Sequence, residues 1–406
     1  MTIKSKNLTQ EKKTINVALL GLQIQNDNKG CEALTYSFIY ELDKIASKVD
    51  LMINYKVIGF SDNKFVTIST HPAPIQSIKI QYRSPRFWHT LITIFNSSDL
   101  VIDFTGGDSF SDIYGKKRFF MGSLIKLLAI KNAPLFILGP QTYGPFNSKI
   151  VKKLAKYIIM KSDYVFARDV ISKKVAENIS GREIKLTTDV AFNLPYDDSI
   201  KSSSNSIKVG INPSGLLWES IYAEQNKFGL KFDYKEYCKS IIKILLDENY
   251  TVYLIPHVGN HLSPPGESDY TCCKELGAID ERIIIAENIT TPIEAKNIIS
   301  QMDVFIGARM HATIAAFSSS VATIPFSYSR KFEGLYDGIG YTYLISGQKM
   351  SLDEAIDKTI MWVHNYQELL SHSKESMKKI RLSQMSFQKE LTSILSELQY
   401  NFSKSK

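Results

Sequence analysis

Val304-Phe305-Ile306-Gly307-Ala308-Arg309-Met310-His311-Ala312-Thr313-Ile314-Ala315-Ala316 decides the fold class. Three consecutive apolar residues without alternation suit a strand buried on both faces, as in a parallel sheet covered by helices. Gly307 opens a turn, and a helix is predicted over His311–Ser319. Ala312, Ala315 and Ala316 would let that helix pack closely on the strand. Ligands of open parallel sheets bind beyond the carboxyl ends of the strands, and that is where Arg309 and His311 fall. A guanidinium is a fixed cation, whereas an imidazole exchanges protons near neutral pH; two residues apart in one turn, both can face one cleft.

The same strand–turn–helix rhythm extends in both directions. Towards the N-terminus, β-rich runs at Asn16–Gly21, Leu51–Ile58, Leu100–Phe104, Leu135–Leu138, Tyr164–Ala167 and Glu183–Thr187 alternate with amphipathic stretches. Those stretches lie near Gly30–Ala46, Lys116–Lys131, Ser148–Met160 and Val170–Asn178. Asp197 to Ser206 is polar, Ser-rich and aperiodic, which reads as a linker. Strands then resume at Ile207–Ile211, Thr251–Ile255, Ile283–Ile285, Val304–Ile306 and Ala322–Pro325, and a helical tail runs from about Leu352 to Gln399. The expected organisation is an α/β lobe over 14–195, a linker over 196–206, a second α/β lobe over 207–345 and a helical tail over 346–406. A chain of 406 residues exceeds what one core usually supports, so two lobes facing a cleft suit its length as well as its pattern.

Composition narrows the class. An apolar fraction of 44% and a charged fraction of 22% are those of a globular protein. The net charge is +8, much of it in pairs such as Lys152-Lys153, Lys173-Lys174 and Lys378-Lys379, which read first as solvated helix faces. No helix-turn-helix, zinc-finger or aromatic-interleaved basic motif is present, so nucleic acid is not expected as a partner. Cys31, Cys238, Cys272 and Cys273 contain no CxxC spacing, a pattern of reduced thiols. The apolar run Val17–Leu22 is too short and too quickly followed by Gln and Asn for a signal peptide. No stretch reaches the ~18 apolar residues of a membrane span. The expected location is cytoplasmic, with contact at the inner membrane face left open.

Each strand end then supplies candidates. Asn28, Lys29, Gly30 and Glu32 follow the first strand, at a helix start offering free N–H groups. Gly106, Gly107 and Asp108 follow the third, where paired glycines allow close backbone approach. Arg168 ends a later strand, placed to grip a carboxylate or phosphate, or to pair with Asp169 or Asp189. His257 and His261 follow Thr251–Ile255, and Tyr328, Arg330 and Lys331 follow the last strand. No His/Cys/carboxylate cluster has metal-ligand spacing, and neither a metal nor a cofactor is expected.

Taken in order, these segments resemble the polysaccharide pyruvyl transferase family. The motifs are Asn28-Lys29-Gly30-Cys31-Glu32-Ala33-Leu34, Thr105-Gly106-Gly107-Asp108, Leu138-Gly139-Pro140, Ala167-Arg168-Asp169, Pro256-His257, Gly307-Ala308-Arg309-Met310-His311 and Pro325-Phe326-Ser327-Tyr328. They span about Asn16 to Gly340. The resemblance implies a glycosyltransferase-B-like fold and transfer of the enolpyruvyl unit of phosphoenolpyruvate to a glycan, forming a pyruvate ketal in cell-surface polysaccharide synthesis. It implies His311 and Arg309 as catalytic, and Arg168, Arg309, His257 and Lys331 as donor-binding. Asn28, Lys29, Gly30, Glu32, Gly106, Gly107 and Asp108 would line the cleft on the acceptor side, with a free or lipid-linked glycan as acceptor. Cys31 stands where the family often has a small residue such as Ala, a departure that touches acceptor contacts. Two other readings are compatible with the architecture: a nucleotide-sugar glycosyltransferase, and a non-catalytic glycan- or membrane-binding protein.

Overall fold

The central strands of the first lobe are largely buried apolar runs, and they pair in parallel. The computed structural model describes residues 12–200, 206–218, 226, 228–260 and 268–404. The first sheet contains β1 (Lys13–Leu20), β2 (Leu51–Gly59), β3 (Lys64–Val66), β4 (Ile75–Lys79), β5 (Leu100–Asp103), β6 (Phe136–Gln141), β7 (Tyr164–Ala167) and β8 (Lys185–Leu186). Its order is β3-β4-β2-β1-β5-β6-β7-β8, parallel apart from the antiparallel β3–β4 edge. The second sheet contains β9 (Lys208–Asn212), β10 (Thr251–Leu254), β11 (Ile284–Ile285), β12 (Val304–Gly307), β13 (Ala322–Ser327) and β14 (Ile345–Ser346), in the order β11-β10-β9-β12-β13-β14.

In each sheet the strand order reverses once, between β1 and β5 and between β9 and β12. At such a point the connections depart to opposite sides and leave a crevice at the carboxyl edge. The segments that follow β1 and β12 meet at the junction between the lobes.

One face of the first sheet is covered by the helices Pro85–Asn96, Lys116–Asn132 and Lys149–Lys161, which bury Phe95, Phe119 and Ile158. The other face carries the helix Lys29–Lys48 and part of the C-terminal helix Tyr366–Lys404. This second core is shared between lobes. Ile314, Phe317 and Tyr336 of the second lobe pack in it with Phe38, Phe166 and Ile394. The tail therefore begins beside the second sheet, where Val363 and Leu369 are buried, and ends against the first.

Some elements depart from the sequence reading. The strand expected over Glu183–Thr187 is only Lys185–Leu186, and the helix expected over His311–Ser319 spans Met310–Ser318. The edge strands β3 and β14, the strand β4 and the helices Pro85–Asn96, Asp269–Gly277 and Arg330–Ile339 were not anticipated. Very short edge strands carry no usable period, but Pro85–Asn96 had its signal: Ser84 caps it and Pro85 occupies its first turn. Within the expected linker, Asp198–Ile200 forms a short 3-10 turn; its residues 201–205 lie outside the described residues. Among the described residues, no helix is long and apolar enough to cross a membrane.

Candidate functional site

The helix Lys29–Lys48 starts at the lobe junction because Asn28 caps it, its Oδ1 accepting from the N–H groups of Gly30 (3.0 Å) and Cys31 (3.3 Å). The same turn is tied to the second lobe. The backbone N–H of Lys29 donates to the carbonyl of His257 (3.0 Å), and that of Gly259 to the carbonyl of Asp27 (3.1 Å). Lys29 Nζ lies buried, donating to Glu32 Oε2 (2.9 Å) and to the Asn26 carbonyl (3.0 Å). Burial raises the Glu32 carboxyl above its ordinary value, against the pull of Lys29.

Gly30 explains itself by proximity. A Cβ at this position would lie 2.6 Å from Nδ1 of His311, so the helix start and the imidazole are in direct contact. On its other side, His311 Nε2 stands 3.7 Å from Oδ2 of Asp189, within ion-pair reach but beyond hydrogen-bond length. That Nε2 is buried and has no hydrogen-bond partner among the described residues.

Asp189 joins His311 to Arg168. Arg168 Nη1 donates to the same Oδ2 at 2.8 Å, and Asp189 Oδ1 accepts from the Ala191 N–H at 2.9 Å. Burial alone would raise the Asp189 carboxyl; His311 and Arg168 outweigh it and hold it well below the usual carboxylate range. Of the two acidic partners the sequence offered Arg168, the structure selects Asp189, while Asp169 caps the helix Val170–Ser180. Gly107, in a left-handed conformation (φ 84°), brings its backbone against Arg168 Nη1.

Arg309 is anchored separately. Its Nε and Nη2 donate to Asp269 at 3.1 and 2.7 Å, a two-pronged ion pair with a fully buried carboxylate. Asp269 also accepts from the N–H groups of Gly215, His257 and Val258. Asn212 at the end of β9 fixes the turn from beneath, its Oδ1 accepting from the Arg309 N–H (3.0 Å). Arg309 and Arg168 thus each have their own carboxylate.

His257 is 3% exposed, and neither ring nitrogen has a hydrogen-bond partner among the described residues. Burial, reinforced by the charges of His311, Arg309 and Lys29, lowers its imidazole to about 3, so it is neutral at ordinary pH.

The structure therefore gathers Asn28, Lys29, Gly30, Glu32, Gly107, Arg168, His257, Arg309 and His311 at one junction. Gly106 and Asp108 point elsewhere. Gly106 (φ 65°) lines a recess walled by Phe60, Tyr82, Arg118 and the buried Asp103–Lys126 pair. Asp108 accepts from Ser109 Oγ and Tyr114 Oη beside a different hollow, lined by Thr142 and Ser329. The Lys331 side chain and His261 lie outside the described residues. Asp269 escaped the sequence reading, since one Asp after Ser268 looks like an ordinary helix start. Asp189, one residue beyond Thr187-Thr188, was visible only as an ion-pair candidate for Arg168.

Residues 28–330 match the family described as polysaccharide pyruvyl transferase. Among solved structures, a glycosyltransferase from Rickettsia africae is similar at 13% identity and a TM-score of 0.56, covering 96% of this chain and 99% of that one. A putative UDP-N-acetylglucosamine 2-epimerase from Listeria monocytogenes is similar at 12% identity and 0.54, covering 89% and 91%. Sucrose-phosphate synthase from Thermosynechococcus elongatus matches at 10% identity and 0.54, covering 97% and 100%. At these identities the likeness is one of fold: two parallel α/β lobes of the glycosyltransferase-B kind.

Proposed function

The chain belongs to the polysaccharide pyruvyl transferase family, and from that premise we propose that it transfers the enolpyruvyl unit of phosphoenolpyruvate to two hydroxyls of one glycan residue, giving a pyruvate ketal and inorganic phosphate. The observation that carries this reading is the lobe junction itself. Buried His257 and half-buried His311, each with a ring nitrogen lacking a hydrogen-bond partner among the described residues, meet there between two carboxylate-anchored guanidiniums.

The chemistry suits that set. Phosphoenolpyruvate brings a carboxylate and a phosphate, and Arg168 uses only Nη1 of its side chain among the described residues, leaving donors for an anion. Neutral His257 can donate one N–H to the donor without the cost of burying a further charge. His311, held between Gly30 and Asp189, is placed to move protons. A proton delivered to the methylene carbon makes C2 electrophilic, and a sugar hydroxyl adds there, losing its proton to base. The C2–O bond to phosphate breaks, the second hydroxyl closes the ring, and its proton leaves with the phosphate. Asp189 orients His311 and stabilises its cationic form in this cycle.

The test combines the chain with phosphoenolpyruvate and candidate glycans, and follows phosphate release together with mass gain on the sugar. His311→Ala is expected to reduce turnover by roughly 100-fold or more, the usual contribution of a positioned acid–base group. Equal activity of the variant would remove His311 from the chemistry. Turnover of nucleotide sugars with no phosphoenolpyruvate use would replace the whole reading.

A further inference from the structure

The helices Pro85–Asn96, Lys116–Asn132 and Lys149–Lys161 lie side by side on one face of the first sheet. Together they contain eleven lysines and arginines and no Asp or Glu, more positive charge than the whole chain's net +8. Ten of the eleven are exposed, Lys126 being buried. None of Lys149, Lys152, Lys153, Lys156 and Lys161 forms an ion pair among the described residues. A solvated helix face normally mixes both signs; this one excludes carboxylates over three successive elements.

The same surface is also apolar. On the last helix Ile150 is 68% exposed, Tyr157 50% and Met160 53%. Positions 150, 153, 157 and 160 form one stripe at helical spacing, with Lys153 inside it and Lys149, Lys152 and Lys156 alongside. The neighbouring helix adds exposed Phe120 and Leu124. Cations flanking protruding aliphatic and aromatic side chains suit an interface with phosphate headgroups above acyl chains. Nucleic acid would use the cations but has no use for exposed isoleucine, leucine and methionine.

We propose that this helix layer docks the protein on an anionic lipid bilayer, with the exposed apolar side chains entering the headgroup boundary. The N-terminal turns of the helix Lys116–Asn132 also wall the recess beside Gly106. Docking there would bring that recess to the membrane, where a lipid-linked glycan is presented. That last clause rests on the pyruvyl transfer reading; the docking itself does not.

The full chain is sedimented with phosphatidylcholine vesicles, with and without phosphatidylglycerol, across a salt series. It is expected to bind the anionic vesicles and to lose them as salt rises. The triple variant Lys152→Glu, Lys153→Glu, Lys156→Glu should bind at least roughly 100-fold more weakly, given about a fivefold factor for each cation lost and repulsion from each carboxylate gained. The double variant Ile150→Ser, Tyr157→Ser should weaken binding while keeping its salt dependence. All five positions are exposed, so melting temperatures matching wild type will show that the variants fold. Equal binding to neutral vesicles, no vesicle binding, or a triple variant as tight as wild type would overturn the proposal. Binding of duplex RNA or DNA in place of vesicles would overturn it too. Vesicle binding that persists in a chain inactive on phosphoenolpyruvate keeps the docking and discards only the reaction.

Discussion

Asp269 is the residue on which the second half of the site depends. Itself at zero exposure, it takes two donors from Arg309 and backbone donors from three further residues. Removing one member of a buried ion pair leaves the other uncompensated, at a cost of roughly 3–5 kcal/mol. Asp269→Ala is therefore expected to lower the stability measured by urea unfolding by that amount; a loss below about 1 kcal/mol would show that Arg309 is held by other means. His257 gives a pH signature. Between the ordinary imidazole value and its folded value of about 3, the unfolded chain binds a proton that the folded chain refuses. Stability is therefore lost as pH falls below about 6.5, by up to about 1.4 kcal/mol per pH unit from this group. Urea midpoints measured at about pH 7.5 and about pH 5 should differ less in His257→Gln than in wild type, by roughly 2 kcal/mol once converted. The raised Glu32 carboxyl acts with opposite sign but is common to both proteins, so it cancels in the comparison. Identical pH slopes would mean that His257 is protonated in the fold. Arg309 and His311 were legible because both follow a strand within one turn. Asp269 was not, since it lies forty residues earlier in the chain and meets Arg309 only through the fold.

At the scale of elements, the tightest tolerance is where the helix Lys29–Lys48 begins against the turn that follows β12. A methyl on Gly30 would sit 2.6 Å from the His311 ring, so one of the two must move. Gly30→Ala is expected to reduce turnover at least about tenfold, because a small misplacement of a catalytic group is costly. Gly338→Ala serves as its control. That position sits in the helix Arg330–Ile339 with no atom within 4 Å of the added carbon, and should be neutral or stabilising by about 0.5–1 kcal/mol. A similar loss of turnover in Gly338→Ala would mean that the Gly30 effect does not come from contact with His311. The elements found from sequence alone were those with enough apolar residues to set a period. β5, β6 and β13 are buried along their whole length, whereas β14, which the sequence did not reveal, is two residues long and exists only because a neighbour supplies its ladder.

For the whole molecule, two lobes and a helical tail were readable because the alternation stops at a Ser-rich stretch and starts again. The shared core was not readable. Ile314 and Phe317 look like the interior of their own lobe, and only the path of the tail reveals that they also pack with residues of the first. That path has a consequence for unfolding. A final helix that completes the core of the lobe it did not start from makes either lobe incomplete without the other. The chain carries its own reporters of this coupling, for its three tryptophans are Trp88 under the first sheet, Trp218 beside the second and Trp362 at the root of the tail. In each protein retaining one tryptophan, the urea midpoint by fluorescence is expected to match that protein's own midpoint by far-UV circular dichroism within about 0.2 M, as a single cooperative transition requires. Separate midpoints would mean that the strap lets one lobe open while the other stays folded.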